Sequence, residues 1–298
     1  MRTINPKNIA TAGLHGLMLG VVAPRPIAFA STVDRAGNIN LSPYSFFNAF
    51  GSNPPTLIFS PCRRVRDNTT KHTLENVLEH KEVVINIVNF AIVEQMSLSS
   101  TEYDKGVNEF EKSGLTAVAS QMVKPPRVAE SPAAFECQVK EVISLGNEGG
   151  AGNLVVCEIV LAHFKEELFD EQGKIDPFKL DAVARMGGDW YCRANGEALF
   201  ELEKPLKNKG IGVDKIPAFI RDSHVLTGNN LGRLGNVEAL PVRKEVQDFA
   251  RMPDVAEALT GFEENPRQGR QRLHKLAQLY LQTGDIHAAW KVLLQETL

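Results

Sequence analysis

The sequence predicts a mainly β fold, a barrel carrying a few surface helices, followed by an α-helical C-terminal extension. Three observations carry that expectation. Short apolar, β-branched runs punctuated by proline and glycine fill the first two-thirds of the 298-residue chain. Most are joined by segments too short for helical crossovers, so the sheet is expected to be mainly antiparallel. From about residue 245 onward the apolar residues recur at helical spacing instead. The expected division is a β domain over residues 1–200, then a linker and helical extension over 201–298.

Taken in order, "PIAFASTV" is the first strand and "DRAGN" its turn, with Gly37 and Asn38 supplying positive φ. "NLSPYSFFNAF" and "PPTLIFSP" follow as strands, the second opened and closed by prolines. "TKHTLENVLEHK" sets Leu74, Val77 and Leu78 at i, i+3 and i+4 and is expected to be a helix. "EVVINIV" is a β-branched strand; "AIVEQMSLSS" and "VNEFEKSG" are helical or irregular, the latter ended by Gly114. Two longer strands, "AAFECQVKEVISLG" and "NLVVCEIVLAHF", are joined by "NEGGAG". Its glycines are no dinucleotide loop, because that fingerprint runs from strand into helix and this stretch runs from strand into strand. It is a flexible hairpin tip.

"KPLKNKGIGVDKIP" is polar and turn-rich, a linker or a surface excursion, and "DSHVLTGNNLGRLGNVEALP" a loop rich in glycine and asparagine. The tail then places Leu273, Leu276, Ala277 and Tyr280 on one helical stripe. Past Gly284–Asp285, Ile286, Ala289, Trp290 and Leu293 form another. This α-hairpin resembles a single tetratricopeptide-type unit, and one unit cannot bury its own apolar face. It is expected to dock on the barrel or on another subunit.

A net charge of −3 and a pI near 6.2 give no global attraction to nucleic acid or an anionic membrane, so neither is expected as a partner. The N-terminus lacks the apolar run of a signal peptide, and nothing approaches the ~18 apolar residues of a membrane span. A cytoplasmic protein is expected. The four cysteines are scattered without a Cys-x-x-Cys pair, and Cys137 and Cys157 fall in strands, where a thiol serves as a small hydrophobe. The seven histidines show no His-x-x-x-His pair, so no metal site is expected.

"PRPIAFAST", residues 24–32, is unlike ordinary core. Pro24 and Pro26 hold Arg25 on a stiff, extended segment that cannot join a central ladder at the proline positions. A stiffened arginine at the head of a strand is a fixed cation, with a planar fork of donors suited to phosphate or to a ring carbonyl. Ser31 and Thr32, at the far end of that strand, offer neutral hydroxyls.

"NINLSPYSFFNAFGSNPPTLIFSP", "KHTLENV", "VNEFEKSGLT" and "VKPPRVAESPAAFEC" follow in that order. Together with "PRPIAFAST" this ordered set, from about residue 14 to about residue 195, resembles the flavin reductase-like family, whose members bind FMN in a split β-barrel. The final stretch of the chain lies outside the resemblance. "LSPYSFFN" corresponds to the family's flavin slot, where Pro43 interrupts the ladder and frees backbone groups. The resemblance implies that Ser42, Pro43, Ser45 and Phe46 line the isoalloxazine ring, with Asn48 towards the phosphate end. It likewise implies contacts from Arg25, Pro26, Ala28, Ser31 and Thr32 of the first strand, and from Ser60. "KHTLENV" resembles the family's phosphate motif at a helix N-terminus, with Lys71, Thr73 and Asn76 matching and His72 replacing the acidic residue. "ARMGGDWY" matches a segment near the end of the barrel domain; Arg185, Gly187 and Gly188 there form either a loop near the flavin or an ordinary surface turn.

The resemblance implies a flavoprotein oxidoreductase in which FMN accepts hydride from NADH or NADPH and passes electrons on. The acceptor would be oxygen, free flavin, a partner oxygenase or a small molecule. A homodimer with FMN near the subunit interface is implied too. Flavin carries this chemistry, so no catalytic side chain is expected. Two other readings compete: a flavin-holding scaffold whose helical tail docks a partner, and an FMN-dependent oxygenase or oxidase of a small organic substrate.

Overall fold

A computed structural model describes every residue except 203, 207, 208 and 298. The described chain divides into two compact units, Met1–Phe200 and Glu201–Leu298. In the first, helix α1 (Thr11–Val21) precedes strands β1 (Ala28–Val33), β2 (Ile39–Tyr44), β3 (Phe47–Ser52) and β4 (Pro55–Phe59). Helix α2 (His72–His80), strand β5 (Glu82–Ile87) and helices α3 (Val93–Leu98) and α4 (Glu109–Ser113) come next. A small ribbon, β6 (Ala117–Val118) with β7 (Arg127–Val128), leads into the long hairpin of β8 (Ala133–Ser144) and β9 (Asn153–Phe164). Helix α5 (Pro177–Leu180) and a second ribbon, β10 (Ala182–Arg185) with β11 (Tyr191–Ala194), complete the unit.

Seven strands form one antiparallel sheet in the order β2-β1-β5-β8-β9-β4-β3. Its two edge strands are consecutive in the chain, and only Ser45 and Phe46 stand between them. Three Cα steps reach at most about 11 Å, so the sheet must roll until its edges meet. The edges do not pair with each other, which makes a split barrel rather than a closed one. "NLSPYSFFNAF", expected to be one strand, is therefore two strands on opposite edges with the seam between them. Period-2 reading cannot reveal such a break, because both halves alternate normally.

Strand β1 is buried along its whole length. Ala28 and Ala30 face the barrel interior with Tyr44, Phe59, Val77 and Ile85. Phe29 faces outward into a second core with Leu41, Met96, Phe110 and Val183. Both faces are covered, so burial runs along the whole strand instead of alternating, Ser31 and Thr32 included. Cys137 and Cys157 are free thiols within the interior core. Burial pushes the Cys137 thiol up to about 12 and raises that of Cys157 well above its ordinary value, so both stay protonated. No helix among the described residues is long and apolar enough to cross a membrane.

The Glu201–Leu298 unit is helical: α6 (Ala218–Arg221), α7 (Gly228–Leu234), α8 (Arg243–Phe249), α9 (Pro253–Leu259), α10 (Pro266–Gln282) and α11 (Ile286–Leu293). Two expectations change here. The stretch "DSHVLTGNNLGRLGNVEALP", expected to be a loop, contains α7. A capping box starts that helix: Asn230 N donates to Thr227 Oγ1 (3.2 Å), and Thr227 N donates to Asn230 Oδ1 (2.9 Å). Asparagine in place of the usual Glu or Gln, amid glycines, disguised it. The tail hairpin, expected to dock on the barrel or on another subunit, has its stripes covered within its own unit. Leu273, Ala277, Leu281, Ala289, Trp290 and Leu293 share one core with Ile216, Ile220, Leu234, Val246 and Val255. Trp290 is fully buried, and its Nε1–H donates to Leu234 O at 3.0 Å.

Replacing Trp290 by Ala should therefore cost about 3–5 kcal/mol, the range for deleting a large buried aromatic. Urea unfolding followed by far-UV circular dichroism should show the helical transition moving to lower denaturant. Trp290→Phe should recover over half of the loss, and an Ala variant with an unmoved midpoint would mean this core does not hold the unit together.

Candidate functional site

Arg25 does not sit as a free cation at the barrel mouth. Its backbone, unlike that of the flanking prolines, is able to pair: Arg25 N donates to Arg185 O (3.0 Å), and Arg185 N donates to Arg25 O (2.9 Å). The side chain is buried, and its guanidinium donates to the carbonyls of Leu19 (2.8 Å), Val22 and Met186 (2.8 Å). Its Nε lies 3.5 Å from Ser45 Oγ. Leu19 and Val22 belong to the last turn of α1 and its cap, where carbonyls lack intrahelical partners and the dipole favours a cation. The guanidinium thus staples the end of α1 and the 186–190 turn to the head of β1. Gly187 permits the approach, since a Cβ there would stand 2.9 Å from Gly20 Cα. The "ARMGGDWY" segment is thus a tightly packed turn bound to Arg25. Burial and the nearby Arg185 charge lower the Arg25 pKa.

Beside this staple, at the seam, lies a cleft of about 270 Å³. Pro43, Ser45, Phe46, Ser60 and Lys71 of the expected residues line it, together with Tyr44, His15, Cys62 and Arg64. A smaller pocket of about 40 Å³ shares Tyr44, Arg64 and Lys71 and adds Ser42 and Thr73. Phe46 O accepts from Ser60 N (2.8 Å), which fixes the seam residue against β4. Ser60 Oγ accepts from Asn153 N (3.0 Å) and lies 3.9 Å from Cys62 Sγ.

Lys71 occupies the N-cap position of α2, and no side chain caps that helix. Its ammonium makes no ion pair among the described residues and stands 5.1 Å from the centroid of the Tyr44 ring. Burial first, then the Arg64 charge, lowers the Lys71 pKa. Arg64 is aimed by Thr69 Oγ1 (3.0 Å), by Thr70 O and by Glu102 (3.1 Å). Arg63 braces the same loop on Asn68, donating to its Oδ1 and its carbonyl at 2.6 Å each. The "NEGGAG" tip closes over it: Arg63 N donates to Ala151 O (2.9 Å) and Gly150 N to Arg63 O (3.0 Å). Gly149 allows this contact, because a Cβ would meet Val65 O at 3.0 Å. Burial pushes the Tyr44 phenol up to about 12, so it remains neutral.

Other expected residues stand apart from the cleft. Ala28 belongs to the barrel core, and Ser31 and Thr32 are fully buried. Thr32 Oγ1 accepts from Asn76 Nδ2 (3.0 Å), so the asparagine of "KHTLENV" ties α2 to β1. Thr73 Oγ1 accepts from Asn40 Nδ2 (2.8 Å). Pro26 is exposed away from the cleft, and Asn48 is exposed on the edge strand β3, its Oδ1 accepting from Ala49 N (2.8 Å). Sequence reasoning missed Arg64, His15 and Cys62. The run of Arg63, Arg64 and Arg66 just ahead of "KHTLENV" was the available signal. No group of three metal-ligating side chains occurs among the described residues.

The cleft thus has a cationic end, made by Lys71, Arg64 and the uncapped start of α2, and an aromatic wall of Tyr44 and Phe46. Such a donor set suits a ligand with an anionic tail and a flat ring.

Comparison with known proteins shows the family. Residues 21–179, just over half of the chain, match the family model described as flavin reductase like domain. An uncharacterized protein of Aquifex aeolicus is 38% identical over 184 residues, covering 62% of this chain and 91% of its own. Among solved structures, nitrilotriacetate monooxygenase component B from Bacillus cereus superposes with a TM-score of 0.63 at 30% identity, covering 68% of this chain and 98% of that one. Pseudomonas fluorescens 2-nitrobenzoate 2-nitroreductase NbaA follows at a TM-score of 0.61 and 29% identity, covering 71% and 100%. The chain belongs to the flavin reductase-like family.

Proposed function

We propose that this protein binds FMN in the seam cleft and passes hydride from NADH or NADPH through it to an acceptor. The carrying observation is Lys71: a half-buried ammonium that makes no ion pair among the described residues, beside Arg64 and the uncapped start of α2. A half-buried cation of this kind calls for an anion, and phosphate matches the donors. Lys71 and Arg64 hold the phosphate, while Tyr44, Phe46 and Pro43 flank the ring and the Ser45 and Ser60 hydroxyls meet its polar edge. When bound, the flavin supplies the two-electron chemistry. The chain orients the ring, shields it from water and fixes its charge environment.

A small organic molecule as acceptor, rather than a partner oxygenase, is the second reading, and the nitroreductase neighbour favours it. A homodimer is part of the proposal. Helix α1 buries none of its residues, and Met18, Val21 and Val22 are exposed with Phe50 of β3 in the same unit. An apolar helix left in water is a liability that a second copy would remove.

Three outcomes are expected. Purified protein reconstituted with FMN should bleach rapidly on anaerobic addition of NADH or NADPH; flavin that binds but stays oxidised would favour the scaffold reading. Lys71→Ala should weaken FMN binding about ten- to a hundredfold, the loss of one charge-assisted contact, while riboflavin binding hardly changes. Equal losses for both ligands in a fluorescence titration would assign Lys71 to folding instead. Val21→Asp should shift sedimentation from dimer to monomer, and an unaltered profile would place the interface elsewhere.

A further inference from the structure

The helical unit has a cleft of its own, about 670 Å³, between α6 and the N-terminal half of α10. Nothing in the flavin chemistry uses it. Arg267, Arg270 and His274 sit at i, i+3 and i+7 of α10, on one stripe of that helix, and all three line the cleft. Arg270 is partly committed, since its Nε donates to Glu296 Oε2 at 2.8 Å. Arg267 makes no ion pair among the described residues. The only acidic side chain on the wall, Asp222, already lies 3.3 Å from Arg221 Nε.

His274 is 3% exposed, and its hydrogen bonds fix its tautomer. Ser223 Oγ accepts from Val225 N (3.0 Å) and from Leu226 N (3.1 Å). With both lone pairs engaged, it has only its proton left to give, and it donates that to His274 Nδ1 at 2.7 Å. The remaining nitrogen, Nε2, must then carry the ring's proton. That Nε2–H is buried and has no acceptor. Burial lowers the His274 pKa, which keeps the ring neutral and a donor. An orphan donor and an unpaired guanidinium on one helix stripe, both on residues that line the same cleft, make an incomplete site. Phe219 and Val225 give the same cleft an apolar side.

We propose that this cleft binds a small organic oxyanion. Its phosphate or carboxylate would lie against Arg267 and His274, and its apolar body against Phe219 and Val225. The proposal is independent of the flavin reading.

The test is calorimetric titration of the full chain with phenyl phosphate, benzoate and benzyl alcohol. At least one anion should bind, and the neutral alcohol should not; the tighter anion identifies the headgroup. Arg267→Gln, a change at an exposed position, should weaken that binding at least tenfold, with Arg267→Lys recovering part of it. Saturating FMN, which keeps the seam cleft filled, should leave it unchanged. The His274 Nε2–H resonance should shift on addition of the anion in nitrogen-15 spectra. Absence of binding by either anion, binding indifferent to Arg267→Gln, loss on saturation with FMN, or an unmoved His274 resonance would each overturn the proposal.

Discussion

Two residues hold this barrel domain in shape. Ser45 and Phe46 join strands that lie at opposite edges of a seven-stranded sheet, and so short a link leaves the sheet no choice but to roll. The roll encloses the Ala28–Ile85–Phe59 core and leaves a seam where ladder pairing stops. The two edges do not pair across it, though Phe46 O still accepts from Ser60 N. The candidate site lies there, and Pro43, which cannot donate to a ladder, sits next to it on an edge strand where its missing N–H does least harm.

Much of the fold was legible in the sequence. The β-branched runs, the hairpin through "NEGGAG", the helix at residues 72–80 and the left-handed Gly114 all follow from period, turn chemistry and capping. What escaped were features that depend on distant partners. The break in "NLSPYSFFNAF" exists because its two halves pair with β1 and β4, and no local signal marks that. Helix α1 was missed since its apolar residues follow no single stripe and none is buried. The hairpin tail looked orphaned only while the stretch that holds α7 was taken for a loop.

The site was legible in part for the same reason. Lys71, Pro43, Ser45, Phe46 and Ser60 come together as the motifs suggested. Arg25, Thr32 and Asn76 carry the same motifs, yet they bind chain rather than face the cleft. A motif records that a residue type is required at a position. It does not say whether the requirement comes from a ligand or from the framework around it. Arg25 shows the second case: five donors in a rigid fork suit three carbonyls from two separate segments, and a lysine, with a point charge, would not span them.

The cleft draws its walls from His15, Tyr44, Cys62, Lys71 and Gly150, positions scattered over half the chain. Such a site has high contact order: loops must close over long separations before any of it exists. A collapsed or partly folded chain therefore holds no fragment of it with useful affinity. Whatever the cleft admits binds the native state alone, and every tenfold of ligand above its dissociation constant adds about 1.4 kcal/mol to the stability of the barrel domain. Supply of that ligand then sets how long the folded protein persists, as well as what it does.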